Sequence, residues 1–153
     1  MDVTLTISDE ELPVTIAPGE TLLELLRCLG YVSVKHGCED GSCGVCAVLL
    51  DGQVVHSCVM LAAQADGRRV TTVEGIGTRE HLHPLQAAFV EVGAVQCGYC
   101  TPAMLLTAKA LLDENPRPTE GEVREALGDV LCRCTGYVKP VEAAMRVLNS
   151  GGA

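Results

Sequence analysis

Residues 37–46 read Gly37-Cys38-Glu39-Asp40-Gly41-Ser42-Cys43-Gly44-Val45-Cys46, three cysteines and three glycines in ten positions. Neither a helical nor a strand period runs through them, so the stretch is a loop. Glycine supplies the dihedrals and the close approach that such a loop needs if its three thiols are to converge. A fourth cysteine, Cys58, follows two apolar runs, Val45–Leu50 and Gln53–His56, joined by Asp51-Gly52. Asp-Gly at that place is a strong hairpin signal, and the hairpin folds Cys58 back toward the loop.

Outward from the loop the pattern divides into two halves. Val3, Leu5 and Ile7 alternate with Thr4 and Thr6 as in a half-buried strand, and a turn over Ser8–Glu11 leads to Val14 and Ile16. Leu22, Leu25, Leu26 and Leu29 fall at helical spacing within Thr21–Gly30, with Gly30 as C-cap, and Val70–Val73 gives one more short strand. The expectation is an α+β half over residues 1–75, strands around a single helix, followed by a connector over 76–83. From 84 to 153 the strand signal is gone and four helices are expected. Pro84 opens one through Val92, and Thr101 (N-cap) with Pro102 opens another to Asp113. Thr119-Glu120-Gly121-Glu122 is a capping box for a third toward Leu127, and Pro140–Leu148 is the fourth. The tail Asn149–Ala153 is expected to fray.

At 153 residues, with 48% apolar and 20% charged, the chain can bury a core. Eleven Lys and Arg against twenty Asp and Glu leave a net charge of -9, and no basic run is present. Aromatic residues make up 3% and Trp is absent. Both the phosphate-neutralising patch and the stacking platform of a nucleic-acid binder are therefore missing. No apolar stretch reaches the roughly 18 residues of a membrane helix; Thr107 and Lys109 interrupt the longest, Pro102–Leu112. Met1-Asp2-Val3-Thr4 has no basic leader character, so a soluble, cytoplasmic chain is expected. Nine cysteines, an odd number, then suit metal binding better than a disulfide framework.

Eight of the nine fall into two groups of four. Cys38, Cys43, Cys46 and Cys58 are spaced C-x4-C-x2-C-x11-C, the first three at the plant-type ferredoxin spacing for a [2Fe–2S] cluster. Structural zinc sites favour paired C-x2-C knuckles instead, so iron–sulfur fits this group better. Cys97, Cys100, Cys132 and Cys134 are spaced C-x2-C-x31-C-x-C. Spacing alone leaves zinc and [2Fe–2S] open for this second group.

The loop at 37–46, Gln96-Cys97-Gly98-Tyr99-Cys100-Thr101-Pro102 and Leu131-Cys132-Arg133-Cys134-Thr135-Gly136-Tyr137 together resemble the small iron–sulfur subunit of the xanthine oxidase family, the molybdenum hydroxylases. The resemblance spans about Val3 to Leu148. It implies an N-terminal β-grasp, plant-type ferredoxin-like domain followed by an all-α four-helix-bundle domain. Each would hold one [2Fe–2S] cluster, on Cys38, Cys43, Cys46 and Cys58 and on Cys97, Cys100, Cys132 and Cys134. It further implies a large molybdopterin-binding partner, whose pterin lies near Gln96 and Cys134, and a medium FAD-binding partner facing the first cluster. Electrons would pass from molybdenum to FAD, and this chain would have no substrate-converting site of its own. Ala103 stands where the family pattern has Gly, Val130 where it has Asn, and Arg27–Lys35 is slightly short. None of these removes a cysteine of either group.

Cys28, in the Leu-rich helix, reads as a small buried apolar side chain. His36 and His56 each precede a grouped cysteine by two residues; with eight thiols already filling two sites, a Rieske-type role for them is disfavoured. His81 and His83 read as part of a solvated turn. Arg133 places a cation between Cys132 and Cys134 that would raise a cluster's potential. Two rival functions remain, a stand-alone ferredoxin-like carrier and a zinc-binding interaction module.

Overall fold

The computed structural model describes residues 1–150. Its N-terminal half is a five-stranded sheet, β1 (Asp2–Ile7), β2 (Glu10–Thr15), β3 (Ala47–Leu50), β4 (Gln53–His56) and β5 (Arg69–Thr71), in the order β2-β1-β5-β3-β4. β1 and β2 pair antiparallel from Asp2 opposite Thr15 to Ile7 opposite Glu10. Ser8 and Asp9 both take positive φ, 50° and 69°, as a two-residue hairpin with the right twist requires. The second strand therefore starts four residues before Val14. Its charged start and Pro13 hide it in the sequence; it is the sheet's edge, where a proline costs no ladder bond. The expected Asp51-Gly52 turn is present, with φ of 50° and 86°. β5 closes the sheet, parallel to β1 and antiparallel to β3.

One helix, α1 (Leu22–Cys28), packs on this sheet, its Thr21–Glu24 capping box satisfying the first turn. Leu22, Leu23, Leu25 and Leu26 are buried, whereas Leu29 is partly exposed and caps the helix. Cys28 is exposed, not buried as its Leu-rich surroundings suggest: it lies on the solvent side of α1, away from that apolar stripe.

Four helices make up the rest: α2 (Pro84–Glu91), α3 (Thr101–Glu114), α4 (Glu120–Gly128) and α5 (Val138–Asn149). α2 packs on α3 and α5, and α4 on α3 and α5. The Thr119–Glu122 capping box forms as expected. Thr101, however, is the first helical residue of α3 and Cys100 occupies the cap position. α5 starts two residues before Pro140, at Val138, after a left-handed Tyr137 (φ 65°). Pro140 is tolerated there because the first turn has no backbone bond for it to break. Of the tail, Asn149 ends α5 and Ser150 N–H still bonds the Arg146 carbonyl; residues 151–153 lie outside the described part. No helix among the described residues is long and apolar enough to cross a membrane.

Two cores result. Leu5, Ile7, Leu22, Leu26, Val48, Leu50 and Val70 fill the first, Leu85, Phe89, Met104, Leu106, Leu127 and Val141 stand among the buried residues beyond it. β3 serves both: Val48 and Leu50 face the first core and Ala47 the second. This double burial is why Ala47–Leu50 reads as an unbroken apolar run.

His83 corrects a further expectation. It is half-buried at the N-terminus of α2, where its Nδ1 accepts from Leu85 N–H at 3.2 Å while Gln86 reaches back to His83 N–H at 2.9 Å. Burial, then the Lys109 charge, hold its pKa below the ordinary 6.5, against the opposing pull of Asp113. A lowered folded pKa means that the unfolded chain binds more protons over that window. His83 therefore adds stability above about pH 6.5 that is lost as pH falls toward its lower folded value. A melting-temperature series from pH 5 to 7 checks this: His83→Asn, which keeps a cap acceptor, flattens the His83 part of the slope.

Candidate metal centres

The 37–46 loop is shaped by contacts on both sides. Glu39, Gly41 and Gly44 take positive φ, at 68°, 81° and 68°. A Cβ on Gly37 would lie 2.6 Å from Cys43 Sγ and 2.6 Å from Val45 Cγ2, so the loop closes over its own second cysteine. A Cβ on Gly44 would lie 2.0 Å from the Asp129 carbonyl oxygen. Beside it, Leu131 N–H donates to the Cys43 carbonyl at 2.8 Å. The first cysteine loop is thus seated on the chain that leads into Cys132.

The strand alternation that splits β3 also splits the thiols. Cys43 faces the second core with Val45 and Ala47; Cys46 and Cys58 belong to the first. Cys38 and Cys43 come together, with Cys43 N–H donating to Cys38 Sγ at 3.4 Å. Cys46 lies beside Cys58. In the second group Cys100 pairs with Cys132 and Cys97 with Cys134. All eight grouped cysteines are therefore brought into pairs, and Cys28 into none of them. Among the described residues, no three His, Cys, Asp or Glu side chains converge on the position of one metal ion.

Four of the thiols are shifted strongly. Burial and then Cys58's contact with Cys46 push Cys58 up to about 11, while the Gly41 N–H works the other way. Burial, then Cys132, push Cys100 up to about 12. For Cys38 a hydrogen bond with Asp40 acts upward, but donation from Cys43 and Ser42 outweighs it and holds the thiol at about 7. Burial acts upward on Cys132, yet the Thr135 hydroxyl and the Thr135 and Cys134 amides bring it to about 7. Thr135 Oγ1 and N–H lie 3.1 and 3.4 Å from Cys132 Sγ. Cys38 and Cys132 are thus readily thiolates, whereas Cys58 and Cys100 need a cation before they give up their protons.

The second group is held by a short network. Cys132 N–H donates to the Tyr137 hydroxyl at 2.9 Å, and Tyr137 N–H donates to Thr135 Oγ1 at 3.2 Å. Gln96 Nε2 donates to the Cys134 carbonyl at 3.2 Å on the exposed side, so the two residues singled out for a pterin partner are joined to each other. A cavity of about 410 Å³ is lined at once by Cys38 and Cys43 and by all four cysteines of the second group, with Arg133 on its rim. His36 is tied to Glu39 and His56 ends β4; every member of the four pairs is a thiol.

Eight thiols, two by two, fit dinuclear iron–sulfur chemistry, in which each iron takes two protein sulfurs. Glycines where a Cβ would collide, and loop amides aimed at sulfur, supply the close packing and the donors that such a group needs.

Comparison with known proteins points to the same iron–sulfur chemistry. Residues 5–73 match the family described as 2Fe-2S iron-sulfur cluster binding domain, and residues 72–145 match the [2Fe-2S] binding domain. The nicotinate dehydrogenase small FeS subunit of Eubacterium barkeri is 49% identical over 94% of this chain and 92% of its own length. This chain belongs to the small iron–sulfur subunits of the xanthine oxidase family. The crystal structure of quinoline 2-oxidoreductase from Pseudomonas putida 86 contains a chain of the same fold: TM-score 0.91, 40% identity, 100% of this chain and 98% of that one. In the aldehyde oxidoreductase of Desulfovibrio desulfuricans ATCC 27774 the same fold (TM-score 0.93, 42% identity) makes up 17% of a much longer chain. This family member is accordingly an oxidoreductase iron–sulfur subunit, with two [2Fe–2S]-binding domains and an electron-transfer role. Ala103 and Val130, the two substituted family positions, are both buried within the second core.

The sequence missed two things here. Pairing within the first group follows the alternation of Cys43, Val45 and Ala47 against Cys46 and Val48, and that alternation could have been read from the sequence. The shared cavity could not, because it depends on how two halves dock.

Proposed function

We propose that the chain is the electron-transfer subunit of a multi-subunit molybdopterin-dependent hydroxylase or dehydrogenase, relaying electrons from molybdenum in a large partner to FAD in a medium partner. In this reading a β-grasp domain over residues 1–75, a connector over 76–83 and a four-helix bundle over 84–153 carry the two sites. Cys38, Cys43, Cys46 and Cys58 hold one [2Fe–2S] cluster; Cys97, Cys100, Cys132 and Cys134 hold the other. The observation that carries it is the pairing of the thiols, six of the eight lining one cavity that both groups share. Nine free thiols suit assembly in a reducing, cytoplasmic compartment.

When bound, each cluster accepts and releases one electron. This chain's residues fix where that happens. Gly41 and Cys43 amides and the Thr135 hydroxyl and amide donate to thiolate sulfur and offset its negative charge. Gln96 and Cys134, joined and exposed, offer a surface toward the molybdopterin of the large partner.

Iron and acid-labile sulfide in anaerobically purified chain test the reading. About four of each per chain, a reddish-brown colour and co-purification with two larger chains are expected. Stoichiometric zinc in colourless protein would overturn it. Thr135→Val keeps the shape and removes the hydroxyl donor to Cys132, so one cluster's reduction potential drops, on the order of tens of millivolts, in a redox titration.

A further inference from the structure

Tyr99 stands between Cys97 and Cys100, yet its side chain leaves its own group. Its hydroxyl donates to the His36 carbonyl at 2.5 Å, two residues before Cys38, across a separation of 63 in sequence. Its ring lines the cavity shared by both cysteine groups. The Lys35 ammonium lies 5.8 Å from the ring centroid and is itself tethered to the Val32 carbonyl at 2.9 Å. That distance is within cation–π range.

The far end of the loop is gripped independently, through Gly44 against Asp129 and Leu131 N–H on the Cys43 carbonyl. One grip leaves the loop free to pivot; two, at residues 36 and 43–44, fix its orientation. Only the grip at residue 36 arises from between Cys97 and Cys100. It therefore transmits any displacement of that pair directly to the backbone entering Cys38.

We propose that Tyr99 is a positioning residue that holds the first cysteine loop in one orientation against the second group, and so sets the electronic coupling between the two centres. This rests on reading the two groups as cluster sites. The phenol is the part that matters: it is the donor that reaches main chain rather than a replaceable side chain, so its acceptor cannot swing away. Tyr99 is about half exposed, so its ring contributes little to either core.

Tyr99→Phe in the full chain, produced with its partner subunits, separates the donor from the ring. Low-temperature electron paramagnetic resonance of the fully reduced protein reads the spin–spin splitting between the two centres. Amide exchange at Gly37 and Cys38 reads the loop. Tyr99→Phe is expected to keep wild-type iron and sulfide, to narrow or lose the splitting, and to exchange roughly fivefold faster at those amides, as for one lost hydrogen bond. Tyr99→Leu, which also removes the ring and the Lys35 contact, is expected to show the same loss of splitting. Wild-type splitting in Tyr99→Phe with full iron would overturn the proposal, as would a change confined to Tyr99→Leu. Loss of a cluster in Tyr99→Phe would also overturn it, by making Tyr99 part of binding rather than of orientation. Wild-type protein lacking iron would instead overturn the site reading itself, and this inference with it.

Discussion

Gly44→Ala is expected to destabilise the protein by about 3 to 5 kcal/mol, a large part of the stability of an ordinary domain. Three effects act at one place. Alanine at φ 68° costs about 1–2 kcal/mol by itself, because Cβ crowds the following carbonyl. The new methyl would stand 2.0 Å from the Asp129 carbonyl oxygen and 3.1 Å from Val130 Cα. Both are backbone atoms, so no rotamer change relieves the overlap, and the loop and the 129–131 segment must separate by more than 1 Å. That separation breaks the 2.8 Å bond from Leu131 N–H to the Cys43 carbonyl, and a lost hydrogen bond costs about 0.5–1.5 kcal/mol more. Urea unfolding of the apo chain measures the loss without reference to metal. Gly52→Ala is the control: φ is 86° but nothing lies within 4 Å of its Cβ, so only the backbone cost applies. Equal destabilisation of the two variants would show that the contact with Asp129 contributes nothing.

The same residue shows what the sequence can and cannot disclose. A glycine inside a cysteine loop is readable as a backbone requirement, and Gly37, Gly41 and Gly44 all meet one. That Gly44 touches Asp129 is not readable, because the two lie 85 positions apart and no local pattern links them. Elements with strong local signals came through: the Asp51-Gly52 turn, the Thr119 capping box and Pro84 at the head of α2. β2 starts earlier than its pattern suggests because an edge strand tolerates Glu10 and Glu11, which read as turn, and Pro13. Cys28 and His83 were each assigned to the wrong environment for a related reason. Burial of a single side chain depends on which way it leaves its element, and Cys28 leaves α1 opposite the leucine stripe while His83 turns inward to cap α2. The two cysteine groups are legible as spacing; the cavity they share is not, because it depends on how the two halves dock.

Cys43→Ser is expected to remove one of the two centres and leave the other. Iron falls from about four to about two per chain, and one of two spectroscopically distinct reduced signals disappears. Serine fills nearly the same space, but its hydroxyl does not ionise at neutral pH and is a poor ligand where a soft thiolate is needed. The loss is therefore one of ligation, not of packing, and the apo chain unfolds close to wild type. Within the assembled enzyme, substrate still reduces molybdenum in the large partner, while reduction of the external acceptor falls to background. Cys28→Ser makes the comparison strict, since Cys28 is exposed and belongs to none of the four thiol pairs; it retains both signals and the wild-type acceptor rate. Cys43 is the informative choice among the eight. It pairs with Cys38, packs in the second core and lines the shared cavity, so it stands where the two halves meet. Should acceptor reduction in Cys43→Ser continue at the wild-type rate with half the iron gone, electrons would be bypassing the first centre, and the relay order from molybdenum to FAD through this chain would be wrong.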